Sequence, residues 1–290
     1  MDITGNGRGD LISGSWPGQL SLFPRLEDGS LGPAQQLLHD DGSPVKPGSA
    51  TTVYAVDWDG DGLLDLVCGN IRGEVWWYRN VGSASKPRFA EGERVLADGH
   101  PFTVPGGDSG PVVVDWNGNG RLDLIVGCGD GSVRWYANQA EQGPPVLAAG
   151  ELLIPAQREG PRGSRVKVHV VDWNGNGHQD LLLGDYRRHP PQSPSPEDLE
   201  RSPEWQQELA QVQTRLRVLR RQALRELRSQ DGGPPADTDA ALEAALGENE
   251  EYQAAQAREA ALTGKLNGLR PRARTSGHVW VFLRRTDAGE

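Results

Sequence analysis

The sequence of 290 residues is poor in several things, and each shortage narrows the reading. Only two cysteines occur, Cys68 and Cys128, without CxxC spacing, which excludes a disulfide framework and a thiolate metal site. No uninterrupted apolar run approaches the length that spans a bilayer, so no membrane span is expected. Basic residues are outnumbered 30 to 40, and a net charge of −10 argues against nucleic acid, because phosphate affinity is built from excess Lys and Arg. Cations are the better-matched partners. The opening Met-Asp-Ile-Thr-Gly has neither a basic nor an apolar stretch, so no signal peptide is read in this chain. No GxSxG, P-loop or strand-linked GxGxxG appears, and the six histidines show no HxxxH or HxH spacing. Paired carboxylates all fall in one repeated loop. With no visible carrier of catalysis, the protein is expected not to be an enzyme.

Glycine (38) and proline (21) are plentiful, which points to turn-rich β structure. An internal repeat dominates: DITGNGRGD from Asp2, DWDGDGLLD from Asp57, DWNGNGRLD from Asp115 and DWNGNGHQD from Asp172, starting 55, 58 and 57 residues apart. Three copies follow an alternating or β-branched run, and all four precede a short apolar run ending near glycine, so both flanks read as strands. A third strand follows at Gln19–Phe23, Glu74–Tyr78, Ser132–Tyr136 and His278–Phe282. A weaker fourth is expected at Gln35–Leu38, Arg94–Ala97 and Glu151–Pro155. Four strands per repeat is the unit of a propeller blade. The fold expected is mainly β, a β-propeller-type array of four four-stranded blades, the first and last incomplete, with an inserted antiparallel α-helical hairpin.

Residues 1–186 hold the blades, 187–275 the insert and 276–290 the returning strand of the fourth blade. The insert opens with a proline-rich linker, HPPQSPSPED, expected to be extended. Its period then changes: Trp205, Leu209, Val212, Leu216, Leu219 and Ala223 form a helical seam, with Ser202 as cap and Pro203 at the first helical position. After the break Asp231–Pro235, a second helix from about Asp237 to Leu266 carries Leu242, Leu246, Tyr252, Leu262, Leu266 and Leu269, and Pro271 is a stop signal. A run of arginines before the break faces a run of acids after it. The pairing reads as two solvated, mutually neutralising faces, not as a nucleic-acid helix.

The nonapeptide D-x-[DNT]-G-[DN]-G-x-x-D offers oxygen at positions 1, 3, 5 and 9, a backbone carbonyl at 7, and glycine at 4 and 6 for a tight curl. This is a cage for a hard cation, with calcium favoured over magnesium for its flexible oxygen coordination. The expected ligands are Asp2, Thr4, Asn6, Arg8 and Asp10; Asp57, Asp59, Asp61, Leu63 and Asp65; Asp115, Asn117, Asn119, Arg121 and Asp123; and Asp172, Asn174, Asn176, His178 and Asp180. Arg8, Leu63, Arg121 and His178 contribute through their carbonyls. Up to four calcium ions are expected, one per loop, with loop 57–65 tightest because it alone has four carboxylates. The first loop, at the chain start and with the weaker Thr4, is expected to fray. An EF-hand is excluded because position 12 is Cys68 in the second copy and strands follow every copy. Trp58, Trp116 and Trp173, with Ile3 in the first copy, are expected to wedge adjacent blades. Trp76, Arg134, Trp280 and Ser21 mark a position whose chemistry changes from blade to blade.

These motifs, the pattern Val-Trp-Trp-Tyr-Arg-Asn and the segment Asn80-Val-Gly-Ser-Ala-Ser-Lys-Pro-Arg-Phe89 resemble FG-GAP or VCBS repeat proteins over everything but the insert. The resemblance implies a calcium-binding β-propeller related to the integrin α-chain head and to some fungal lectins, and an extracellular or periplasmic location. Against a whole member, the first copy lacks its opening strand and the last stops after its third. That describes an open arc, with further propeller blades from a longer chain among its partners. The function expected is non-catalytic ligand binding or adhesion toward a glycan or protein; the alternative is the propeller part of a secreted polysaccharide lyase or hydrolase. Charge fits the cation reading. The insert is neutral, with 14 basic and 14 acidic residues, and the excess acid sits in the blades, ten acids of it in the four loops.

Overall fold

Short apolar runs bounded by glycine can bury both faces only between other sheets, and the chain solves this by stacking small antiparallel sheets side by side. The computed structural model describes residues 1–157, 159–190, 193–229, 235, 237–269 and 274–284. They form two units, Met1–Arg188 with Thr275–Glu290, and His189–Arg274.

In the first unit the first blade has β1 (Leu11–Gly14), β2 (Leu20–Phe23) and β3 (Gln35–Gln36); an opening strand ahead of β1 is missing, as the sequence indicates. The second blade is β4 (Thr52–Val56), β5 (Asp65–Gly69), β6 (Val75–Tyr78) and β7 (Glu93–Arg94). Its fourth strand is shorter than expected, because Leu96–Ala97 (β8) turns away to pair with His100–Pro101 (β9). The third blade is β10 (Gly110–Val114), β11 (Asp123–Gly127), β12 (Val133–Tyr136) and β13 (Glu151–Ile154). The fourth starts with β14 (Ser164–Val171) and β15 (Asp180–His189).

Alternation along each second strand assigns one side chain to each neighbouring blade. Leu66 and Cys68 of β5 pack with Ile3, Leu20, Leu22 and Phe89 between the first and second blades. Val67 between them points the other way, into the cluster of Trp58, Val75, Trp77, Leu124 and Val126. Ile125 of β11 repeats the switch toward Leu181 and Leu183 of the fourth blade. Each such side chain removed from water contributes about 1.5–3 kcal/mol. Both cysteines are buried in these seams, and burial pushes the thiols up, that of Cys128 to about 11. Neither thiol should react with an alkylating reagent at neutral pH until the blades unfold; a mass shift in native protein within minutes would contradict this.

The second unit corrects two expectations. Helix α1 (Pro196–Arg228) starts seven residues before Pro203, which lies inside it. Three Ser-Pro pairs, at Ser193, Ser195 and Ser202, carry the same start signal, and the second is used: Ser195 Oγ accepts the Asp198 N–H at 3.1 Å, Pro196 opens the helix, and Glu197 and Asp198 suit its positive end. The supposed extended linker is therefore helical in part. The second stretch is not one helix but two, α2 (Thr238–Glu248) and α3 (Glu250–Gly268). Asn249 is extended, and its side chain accepts the Tyr252 N–H at 2.9 Å, ending one helix while capping the next. Of the expected break Asp231–Pro235, residues 231–234 lie outside the described residues, as does Pro271. Of the seam as read, Leu219, Leu242, Leu246 and Tyr252 close a core, joined by Leu227, which lay outside that reading, and Arg258–Glu208, Arg215–Glu251 and Arg220–Glu243 pair across it. These ion pairs are too exposed to contribute much. The chain then returns through β16 (Arg274–Ser276), bonded to the far end of β15, and β17 (Val279–Phe282), paired with Leu181–Gly184.

Candidate metal centre in the repeated loops

Three of the loops join the first and second strands of a blade, β4 to β5, β10 to β11 and β14 to β15, and the fourth precedes β1. Their curl needs left-handed backbone twice, and glycine supplies it each time: φ is +64° and +80° at Gly5 and Gly7, +77° and +89° at Gly60 and Gly62, +76° and +82° at Gly118 and Gly120, and +72° and +84° at Gly175 and Gly177. Around this curl position 1 acts as the hub. Asp57 accepts the Gly60 and Gly62 N–H groups, both at 2.9 Å, and Asp115 the matching amides of Gly118 and Gly120, while Asp172 accepts those of Asn176 and Gly177 and Asp2 those of Asn6 and Gly7.

Positions 3 and 5 each use one oxygen to hold the N–H two residues on. Asp59 takes Asp61 and Asp61 takes Leu63 in the second loop; Asn117 and Asn119 do so in the third, Asn174 and Asn176 in the fourth. Position 7 thus gives its amide to the loop. Arg121 sends its side chain away to the Asn138 carbonyl, and Arg8 sends its own to that of Arg25. In the second loop Asp57, Asp59 and Asp61 bring one carboxylate oxygen each to within 4.8 Å of one another. Partial burial and the charges of Asp61 and Asp57 push the Asp59 carboxyl above its ordinary range. Such crowding of anions is relieved by a cation, and an all-oxygen donor set of this kind fits a hard divalent ion.

Position 9 is placed elsewhere than the sequence pattern indicates. Asp65, Asp123 and Asp180 are fully buried beneath their loops. Asp123 accepts the Trp116 N–H at 3.2 Å, the Trp135 indole N–H at 3.0 Å and the Asn138 N–H at 2.7 Å. Asp65 takes the Trp77 indole at 3.0 Å and the Asn80 N–H at 2.8 Å, and burial pushes its carboxyl up to about 6. Asp180 takes the Trp173 and Arg284 amides, and Asp10 those of Ile3, Thr4 and Arg25. These carboxylates fasten the loop base to the end of the third strand. The first loop is accordingly not frayed: Thr4 Oγ1 donates to Asp10, the Asp10 amide bonds to the Met1 carbonyl, and Ile3 is buried.

Asn80 and Asn138 were not singled out by sequence reasoning. Their side chains donate to the Leu64 and Leu122 carbonyls at the loop exit and accept two amides of the following turn. The signal was present: an asparagine 15 residues after the position-9 aspartates of the second and third loops.

Three overlapping stretches, residues 2–68, 57–126 and 115–183, match the FG-GAP-like repeat family, each running from one loop through the next. The chain belongs to this repeat family. Among curated proteins, Cartilage acidic protein 1 of Xenopus tropicalis is 28% identical over 137 residues. That FG-GAP match covers 44% of this chain and 20% of the relative's length. Among solved structures, an Agrocybe aegerita lectin that recognises non-reducing terminal N-acetylglucosamine is 22% identical with a TM-score of 0.38, over 63% of this chain and 44% of the lectin. TcdB2-TccC3 is 16% identical with a TM-score of 0.30, over 67% of this chain and 10% of that one. The described helices of this FG-GAP chain include none long and apolar enough to cross a membrane.

Proposed function

We infer that the protein is a non-catalytic, calcium-stiffened propeller segment working outside the cell, where its blades present surfaces to a glycan or protein ligand. The observation that supports calcium is the convergence of Asp57, Asp59 and Asp61 on one point, held there by Gly60 and Gly62. Asp57, Asp59 and Asp61 would hold the ion with the carbonyl of Leu63. The Asn-containing loops of the third and fourth blades offer the same frame with less charge, so their affinity is lower. The position-9 aspartates serve the ion indirectly by fixing the frame.

Isothermal titration of chelated protein with calcium should show a tightest site that Asp59→Ala removes, while the melting temperature in excess calcium exceeds that in chelator. Terbium gives an independent readout, since Trp58 adjoins the loop and should sensitise its luminescence. A tightest site that survives Asp59→Ala, or equal melting temperatures in calcium and chelator, would remove the basis of the reading. Binding on a glycan array, set against an assay for unsaturated sugar products, distinguishes ligand presentation from polysaccharide cleavage.

A further inference from the structure

Six arginines lie in the second half of α1, and the helical unit sets only two of them against its acids: Arg215 pairs with Glu251 and Arg220 with Glu243. The other four, Arg217, Arg221, Arg225 and Arg228, are exposed, and among the described residues none has a carboxylate within 4.0 Å. Spacings of 4, 4 and 3 residues line them up along one side of the helix over about 16 Å. Leu219, two residues from both Arg217 and Arg221 and so about 160° around the helix from them, is buried in the core. The line therefore faces away from α2 and α3. Of the acids in the same stretch, Glu208 is held by Arg258, and Glu226 is turned about 140–180° from Arg217 and Arg221. Attraction to the negative end of the helix accounts for Arg225 and Arg228 in the last turn, but not for Arg217 and Arg221, which lie beyond its reach. On the N-terminal side of the line, Gln207, Gln211 and Thr214 border a shallow hollow with Ala210 and Val218.

We propose that this face of α1 binds a linear acidic polysaccharide, with the four arginines on its sulfate or carboxylate groups and Gln207, Gln211 and Thr214 on its hydroxyls. A guanidinium offers a planar fork of donors that matches such oxyanions two oxygens at a time. The kind of polyanion follows from what else the face carries. Between residues 207 and 228 there is no aromatic side chain on which the bases of a single strand could stack. A nucleic-acid duplex is held by neutralising many phosphates, roughly six to ten in a typical contact, which four arginines on a chain of net charge −10 do not match. A helix that lies on a bilayer buries large apolar side chains, and Val218 is the one exposed large apolar residue in this stretch. Charges separated by neutral, hydroxyl-bearing stretches are what a sugar polymer supplies and what arginines beside amides recognise. The face belongs to the helical unit alone, so the proposal goes beyond the blades as ligand surfaces and is independent of calcium in their loops.

The test is titration of the intact chain with a heparin oligosaccharide, in calcium and in chelator, with uncharged dextran as the blank. Binding should appear with heparin in both buffers, weaken as sodium chloride is raised, and be absent with dextran. Replacing Arg221→Gln together with Arg225→Gln should weaken it about four- to twenty-fold, since each exposed ion pair contributes a factor of roughly two to five. The matched control, Arg215→Gln with Arg220→Gln, removes the same charge from the same helix but from arginines already paired, and should leave the affinity within about twofold. Glutamine is nearly as good a helix former as arginine, so both variants should keep the wild-type circular dichroism and melting temperature. No binding to heparin, binding in calcium only, an equal loss in the two double variants, or tighter binding to duplex DNA or to phosphatidylserine vesicles than to heparin would each overturn the proposal.

Discussion

Asp123→Ala is expected to lower the stability of the blades by about 3–5 kcal/mol, although Asp123 belongs to a loop that reads as a metal cage. The carboxylate is fully buried and accepts three N–H groups, from Trp116, Trp135 and Asn138. Its removal leaves three donors without their acceptor around a buried position, and each unmet buried donor costs about 1–3 kcal/mol. Asp123→Asn should fall between wild type and alanine, since one oxygen remains while the new NH2 group opposes a donor. The control is Asp115→Ala in the same loop. Asp115 also accepts three amides, Gly118, Asn119 and Gly120, but they are exposed and can turn to water. Its loss should cost well under half as much in chelator and instead weaken calcium binding at that loop. Urea denaturation of both variants in chelator decides the matter, and equal midpoints would refute the division of labour. The nine-residue repeat thus contains two devices, an exposed set of oxygens at positions 1, 3 and 5 and a buried clasp at position 9.

Much of this was legible in the sequence because the repeat is dense in residues with few conformational alternatives. Paired glycines fix the curl, and the flanking apolar runs locate β5, β6, β11 and β12 to within a residue or so. Position 9 was not legible from the loop alone. An aspartate offers the same oxygens to a cation or to an indole, and only the third strand, folded back beneath the loop, brings Trp77 or Trp135 to claim them. Trp173 shows a second limit. It has the same identity and loop position as Trp58, so composition predicts the same burial, yet burial is conferred by a neighbouring blade and no following blade is present among the described residues. In the helical unit, Ser195-Pro196 and Ser202-Pro203 are equivalent as local signals, and the acids of the first turn favour the earlier one. The interruption at Asn249 is an asparagine after Gly247 and Glu248, a capping residue hidden in an otherwise helical run.

A pair of glycine substitutions should change stability in opposite directions and so reveal where the array ends. Gly127 closes the second strand of the third blade, and a Cβ built on it would lie 2.2 Å from the Val166 carbonyl oxygen of the fourth. That carbonyl cannot retreat without loss. Val166 donates to the Cys128 carbonyl at 3.1 Å and Arg165 to that of Gly129 at 3.0 Å, tying the two blades together at this point. Gly127→Ala is therefore expected to cost about 1–3 kcal/mol by overpacking, or more if the seam must part. Gly184 holds the same place in the fourth blade, but a Cβ there meets only Lys167 O at 4.0 Å, an ordinary contact within its own sheet. With no clash to offset it, alanine restricts the unfolded chain more than glycine does and should raise stability by about 0.4–1 kcal/mol. A loss at Gly184 equal to that at Gly127 would mean that a further layer packs on the fourth blade at this point.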